Sequence, residues 1–194
     1  MHEEETTINI LALRPGRREM GVAVLEVRSA GQGRMPSAGE ELVFWGVTGF
    51  RGLVGKALLE AVERRVMELI QQYEPAVVAI EEPSGVRLRM SPMLGEIVRV
   101  IRAVAVDAGV RFVAVSPAEV RKRVCGSERA THAEVVGKIV ERYPGLGRYR
   151  RRSGPKAQQA GYRASRQQED YWRPMFSAVG VGVSISPCGK APRK

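Results

Sequence analysis

The chain has little of what builds a metal or disulfide scaffold. Its 194 residues include two cysteines and two histidines. Cys125 and Cys188 are distant in sequence, and neither forms a metal-ligand spacing with His2 or His132, so a zinc site is not expected. Both thiols are read as free, and a reducing cytoplasm is the expected compartment. Apolar runs never approach the roughly 18 residues that a membrane-crossing helix needs. The opening MHEEETT is acidic and polar, unlike a signal peptide. Acidic residues are also in deficit, at 21 Asp plus Glu against 31 Lys plus Arg.

What is present follows from that balance. A formal net charge of +10 attracts polyanions. Nucleic acid is the leading partner, and an anionic membrane surface is the weaker one. The plainer alternative is a basic soluble protein without a polyanion partner. The apolar fraction of 44% is enough for a core, and the length suits a single domain, read here as residues 8–183.

Residues 1–7 read as a flexible tail. Apolar segments at 8–13, 21–27 and 42–47 read as three strands of an antiparallel meander. Arg14-Pro15-Gly16, followed by Arg17 and Arg18, marks the first turn, and the Gly, Ser and Pro of 29–40 mark a loop. Leu53, Ala57, Leu58, Ala61, Val62, Val66, Leu69 and Ile70 form a helical stripe that ends near Tyr73. Residues 76–80 are a nearly all-apolar strand that runs into Glu81-Glu82-Pro83. A helix over 93–108 and a second buried strand over 111–115 follow. Ser116-Pro117 and Thr131 with Glu134 are helix starts. Residues 144–168 are rich in arginine and read as a mobile basic loop within the domain. Residues 169–183 read as a final helix, started or interrupted near Pro174, and 184–194 as a basic tail. This order gives an α/β class: a mixed five-stranded sheet, three antiparallel strands then two parallel, with helices on both faces.

Several segments carry a family resemblance. They are Ile10 to Gly16, Gly21 to Glu26, Ala79-Ile80-Glu81, Val115 to Lys122 followed by Gly126, and Glu169-Asp170. In this order and spacing the chain resembles the RuvC-like Holliday junction resolvases of the ribonuclease H-like superfamily. The resemblance implies a ribonuclease H-like sheet and a homodimer acting on a four-way DNA junction, with four carboxylates holding two Mg²⁺ or Mn²⁺ ions. Two cations about 4 Å apart activate the attacking water and stabilise the leaving oxygen. Glu81, Glu169 and Asp170 match the family's acids and would be catalytic and metal-binding here.

The first position departs from the family. Arg14 stands where the resemblance places an Asp. A guanidinium is never an oxygen ligand and stays charged. It would repel a dication and pair with Glu81 or Glu169, giving a nucleic-acid-binding protein without two-metal cleavage and without a cofactor. The alternative for Arg14 is a solvated turn residue with the true acid elsewhere, Glu19 and Glu26 being candidates. The protein would then be a structure-selective endonuclease with a rearranged acidic set, using Mg²⁺ or Mn²⁺. A third reading is a structural or regulatory subunit that binds RNA or protein.

The nucleic-acid contacts are expected from two clusters. Arg148, Arg150, Arg151, Arg152, Lys156, Arg163 and Arg166, with Tyr149 and Tyr162 interleaved, would neutralise phosphates and stack on unpaired bases. Arg121, Lys122 and Arg123 form a second group at a helix end. The long amphipathic helix leaves an apolar edge for a twofold partner.

Overall fold

The computed structural model describes residues 6–29, 39–83, 91–149 and 166–187. Three strands come first: β1 (Thr6–Arg14), β2 (Glu19–Ser29) and β3 (Glu40–Gly49). Helix α1 (Gly55–Tyr73), strand β4 (Val77–Glu81), helix α2 (Pro92–Asp107) and strand β5 (Arg111–Val115) follow. The chain then forms α3 (Pro117–Cys125), α4 (His132–Arg142), a 3₁₀ turn (Pro144–Tyr149) and α5 (Arg166–Ile185). The sheet order is β3-β2-β1-β4-β5. The first two pairings are antiparallel, and β1–β4 and β4–β5 are parallel. This is the mixed sheet expected from the sequence.

The central strand β1 is covered on both faces, and its alternation assigns each side chain. Leu11 and Leu13 join Val22, Val24, Val78 and Ile80 beneath α1 and α2. Ile10 and Ala12 join Ala23, Leu25, Val77 and Ala79 beneath α3, α4 and α5. In β3, Phe44 packs with the first group and Trp45 with the second. The second face is lined by small residues, which lets α5 lie close to the sheet. A Cβ built on Gly21 would stand 1.9 Å from the Pro174 carbonyl oxygen, and one on Gly182 would stand 2.3 Å from Leu25 Cδ1. Pro174 lies inside α5. It has no N–H to offer the Asp170 carbonyl, yet the helix runs through it.

Several elements differ from the sequence reading. β1 begins within the expected tail. β5 is an edge strand in which Val115 alone is buried, because no strand among the described residues pairs with its outer side. Leu53 and Ala57 are exposed because α1 starts at Gly55 and the buried stripe begins at Leu58. Leu146 is buried in the core of the α5 face, so 144–149 belongs to the packed domain, and α5 already includes Arg166 to Gln168. The helix also runs on through Ser184 and Ile185, with Ser184 and Ser186 buried. Residues 150–165, and with them the body of the basic run, lie outside the described residues.

Glu40, read as the end of a loop, opens β3 with its side chain 2% exposed. It accepts hydrogen bonds from the Tyr143 hydroxyl and, at 2.9 Å, from Arg142 Nε. Burial first, and then the neighbouring carboxylate, push the Tyr143 hydroxyl pKa well up, so it stays a donor. This network ties the edge strand to the end of α4.

The seating of α5 yields a test. Gly21→Ala forces the added methyl into the Pro174 backbone and is expected to cost about 1–3 kcal/mol in urea unfolding, the range for overpacked sites. An unchanged midpoint would show that α5 does not rest on β2 there.

Candidate functional site

Register brings the two key charges together. β1 and β4 run parallel with Leu13 opposite Ile80. The next residues, Arg14 and Glu81, therefore leave the sheet side by side. Alternation places both on the face of Ala12 and Ala79, under α5. Arg14 Nε lies 3.6 Å from Glu81 Oε2, with the two side chains 20% and 16% exposed. The guanidinium thus meets Glu81, one of the two acids named for it in the sequence.

Helix α5 approaches the same corner. Gly182 packs over Ala12 and Leu25, and Pro174 over Gly21, which is the register partner of Arg14. The helix therefore heads toward Arg14 as it is followed back to its N-terminus. One turn before Pro174, about 6 Å along the axis, comes the backbone of Asp170, with Glu169 next to it. The side chains of Glu169, Asp170 and Arg166 lie outside the described residues.

A two-metal centre needs oxygen ligands around each cation. Here the place beside Glu81 is taken by a guanidinium, which only donates. Among the described residues no three His, Cys, Asp or Glu side chains are grouped closely enough to hold a metal. The described donors therefore do not fit a pair of dications. Of the other described acids, Glu82 and Glu26 lie away from this corner. Glu82 is exposed beyond β4, its N–H donating to the Val115 carbonyl at 2.8 Å. Glu26 is opposite Asn9, well down the strand from Arg14, and pairs with Arg28 at 2.9 Å. Glu19 alone lines the same cleft as Arg14.

The cationic candidates separate. Arg121 Nε donates to the Glu128 carbonyl at 2.7 Å, and Lys122 Nζ meets Glu128 Oε1 at 2.8 Å. That hydrogen bond and its charge hold the Lys122 ammonium above the usual lysine range. Both side chains bond across the α3–α4 turn, and Lys122 and Arg123 are exposed. Tyr149, expected as a base platform, is half-buried with its ring centre 4.4 Å from that of Trp172, and the Arg148 guanidinium lies 4.9 Å from the Tyr149 ring centre. Arg150, Arg151, Arg152, Lys156, Tyr162 and Arg163 lie outside the described residues. Cys125 is a free, half-buried thiol whose pKa burial pushes up, and Cys188 is also outside the described residues.

Three arginines that the sequence placed only at turns and a helix start, and not among the binding residues, come together here. Arg17, Arg18 and Arg51 are exposed and line a cleft beside Arg14. The first two were visible as the basic continuation of the Pro-Gly turn. Arg51 had no local signal, because it arrives from the far end of β3. The Phe50 N–H donates to the Arg18 carbonyl at 2.8 Å and ties the two turns together.

No family model matches the chain, and no curated protein matches it. Solved structures do. The chain is similar to Thermus thermophilus RuvC, with a TM-score of 0.62 and 18% identity over 91% of this chain and 94% of that one. It is also similar to T. thermophilus RuvC in complex with Holliday junction substrate, at 0.57 and 19%, covering 90% and 94%. The yeast mitochondrial Holliday junction resolvase Ydc2 matches at 0.51 and 11%, covering 88% and 76%. At these identities the likeness establishes a RuvC-like fold. No described helix is long and apolar enough to cross a membrane.

The ion pair is directly measurable. A double-mutant cycle with Arg14→Met and Glu81→Gln is expected to give a coupling of about 1 kcal/mol in denaturant unfolding, the upper end for partly exposed pairs. A coupling of zero would show that the two charges act independently.

Proposed function

We propose that the protein binds branched or distorted DNA through a RuvC-like fold and does not cleave it by the two-metal route. One observation carries this reading: Arg14 occupies the position beside Glu81, in a fold whose solved examples include a resolvase bound to a Holliday junction. A cation fixed to the chain supplies charge compensation that a dication would otherwise supply, but it cannot ionise a water. The net charge of +10 supports a polyanion partner. The candidate DNA contacts are Arg123, Arg148 and the basic segment 150–166, together with the cleft arginines. Arg121 and Lys122, both bonded to Glu128 at the surface, stand beside Arg123 as further candidates. A homodimer belongs to the same reading, because a four-way junction presents two symmetry-related strands.

A second reading has one observation in its favour. Glu19 lines the cleft next to Arg14 and is the carboxylate on which a rearranged acidic site would depend.

The test uses one labelled four-way junction with matched duplex and single-strand controls, in EDTA, Mg²⁺ or Mn²⁺. The expected result is junction binding in EDTA, preferred over duplex, weakening steeply with salt, and no cleavage with either metal. Metal-dependent cutting that Glu19→Gln abolishes would establish the endonuclease reading instead. Equal affinity for junction and duplex would remove the structural selectivity.

A further inference from the structure

Two cavities open side by side at the strand ends and share Arg17, Arg18 and Glu19. The smaller, about 400 Å³, is also lined by Arg14, Gly16, Ser91 and Leu94. The larger, about 750 Å³, continues past Arg51 to Phe50, Leu53, Val54 and Met93. Together they form one cleft with a cationic end and an apolar end.

The cationic end is arranged for an anion. Arg17, Arg18 and Arg51 are exposed, and the Phe50–Arg18 hydrogen bond holds their two turns together. Glu19 is the only carboxylate among the described lining residues, so positive charge prevails. The N-termini of α1 and α2 also reach this cleft, through Val54 and Ser91. Neither has a side-chain cap bond or an acid in its first turn, whereas α3 and α4 each have both. The positive ends of both helix dipoles favour an anion, although Pro92 brings no N–H and the Leu94 N–H donates to the Ser91 carbonyl at 2.9 Å. Ser91 Oγ, which lines the smaller cavity, is buried without a hydrogen-bond partner among the described residues.

The apolar end is surplus to the fold. Val54 is 77% exposed and Leu53 38%. Phe50 is buried and makes the floor beneath them. A ligand that suits both ends is anionic on one side and flat and apolar on the other. Base-paired DNA presents phosphates but hides its base faces, whereas an unpaired nucleotide presents both. Each of the two cavities, taken singly, has a volume within the about 300–1,000 Å³ of small-ligand sites.

The geometry points to a subsite for one unpaired nucleotide of a DNA strand, its phosphate on Arg17, Arg18 and Arg51 and its base over Leu53, Val54 and Met93. The subsite rests on the nucleic-acid reading above and adds a preference for strands with unpaired bases. It works without a metal.

The probe is fluorescent tetrathymidylate, titrated against the full chain in EDTA. Junction affinity is measured in parallel, and inorganic phosphate serves as a competitor. Arg51→Ala and Val54→Ser alter exposed side chains, and circular dichroism checks that both variants remain folded. Arg51→Ala is expected to weaken tetrathymidylate about tenfold, as loss of a charged hydrogen bond does. It should also lower the salt slope by about 0.7, one single-strand phosphate. Val54→Ser is expected to weaken binding about threefold through lost apolar contact, with the slope unchanged. Junction binding with no response of tetrathymidylate to either variant overturns the subsite and leaves the DNA reading standing. Displacement by phosphate alone at equal concentration reduces the site to an anion pocket and overturns the base half. Binding of neither junction nor tetrathymidylate overturns both.

Discussion

Parallel pairing of β1 with β4 is the constraint from which the site follows. Both strands are buried on both faces, so a slip of one residue would turn Leu11, Leu13, Val78 and Ile80 out of one core and into the other. With that register locked, Arg14 and Glu81 have one place to go. They emerge together at the strand ends, on the face that α5 crosses. A partly buried carboxylate needs a counter-charge, and here the chain carries its own. An oxygen-only cation cage and a guanidinium are alternative solutions to the same electrostatic problem, and the proposed function rests on the second.

The close seat of α5 completes the corner. Gly21 and Gly182 remove the side chains that would hold the helix off the sheet, and the helix then delivers the backbone of Glu169 and Asp170 toward Arg14. Packing and function are coupled at this point. The same contact that buries Met175 and Val179 decides where the N-terminal turns of α5 lie.

Much of this was legible in the residues. Short apolar runs bounded by turn residues marked β1, β2 and β4, the 3.6-residue stripe marked α1, and the Ser116 and Thr131 caps marked α3 and α4. Arg14 meeting Glu81 or Glu169 was an expectation of the family resemblance, and the parallel register selects Glu81. Other features had no local signal. RFVAV reads the same whether a strand is central or at an edge, and only the sheet order distinguishes them. The bonds of Arg121 and Lys122 to Glu128 had no local signal, because that partner lies beyond the helix end. The buried carboxylate of Glu40 depends on Arg142 and Tyr143, about a hundred residues on. The arginine cleft joins two turns that are distant in sequence, and no window covers both.

The central claim is that a guanidinium has taken the place of a metal beside Glu81. Calorimetric titration of Mn²⁺ into the wild type and into Arg14→Asp tests it most directly. The account predicts no saturable binding to the wild type, and binding to Arg14→Asp that Glu81→Ala removes. Saturable binding to the wild type, lost on Glu81→Ala, would contradict it.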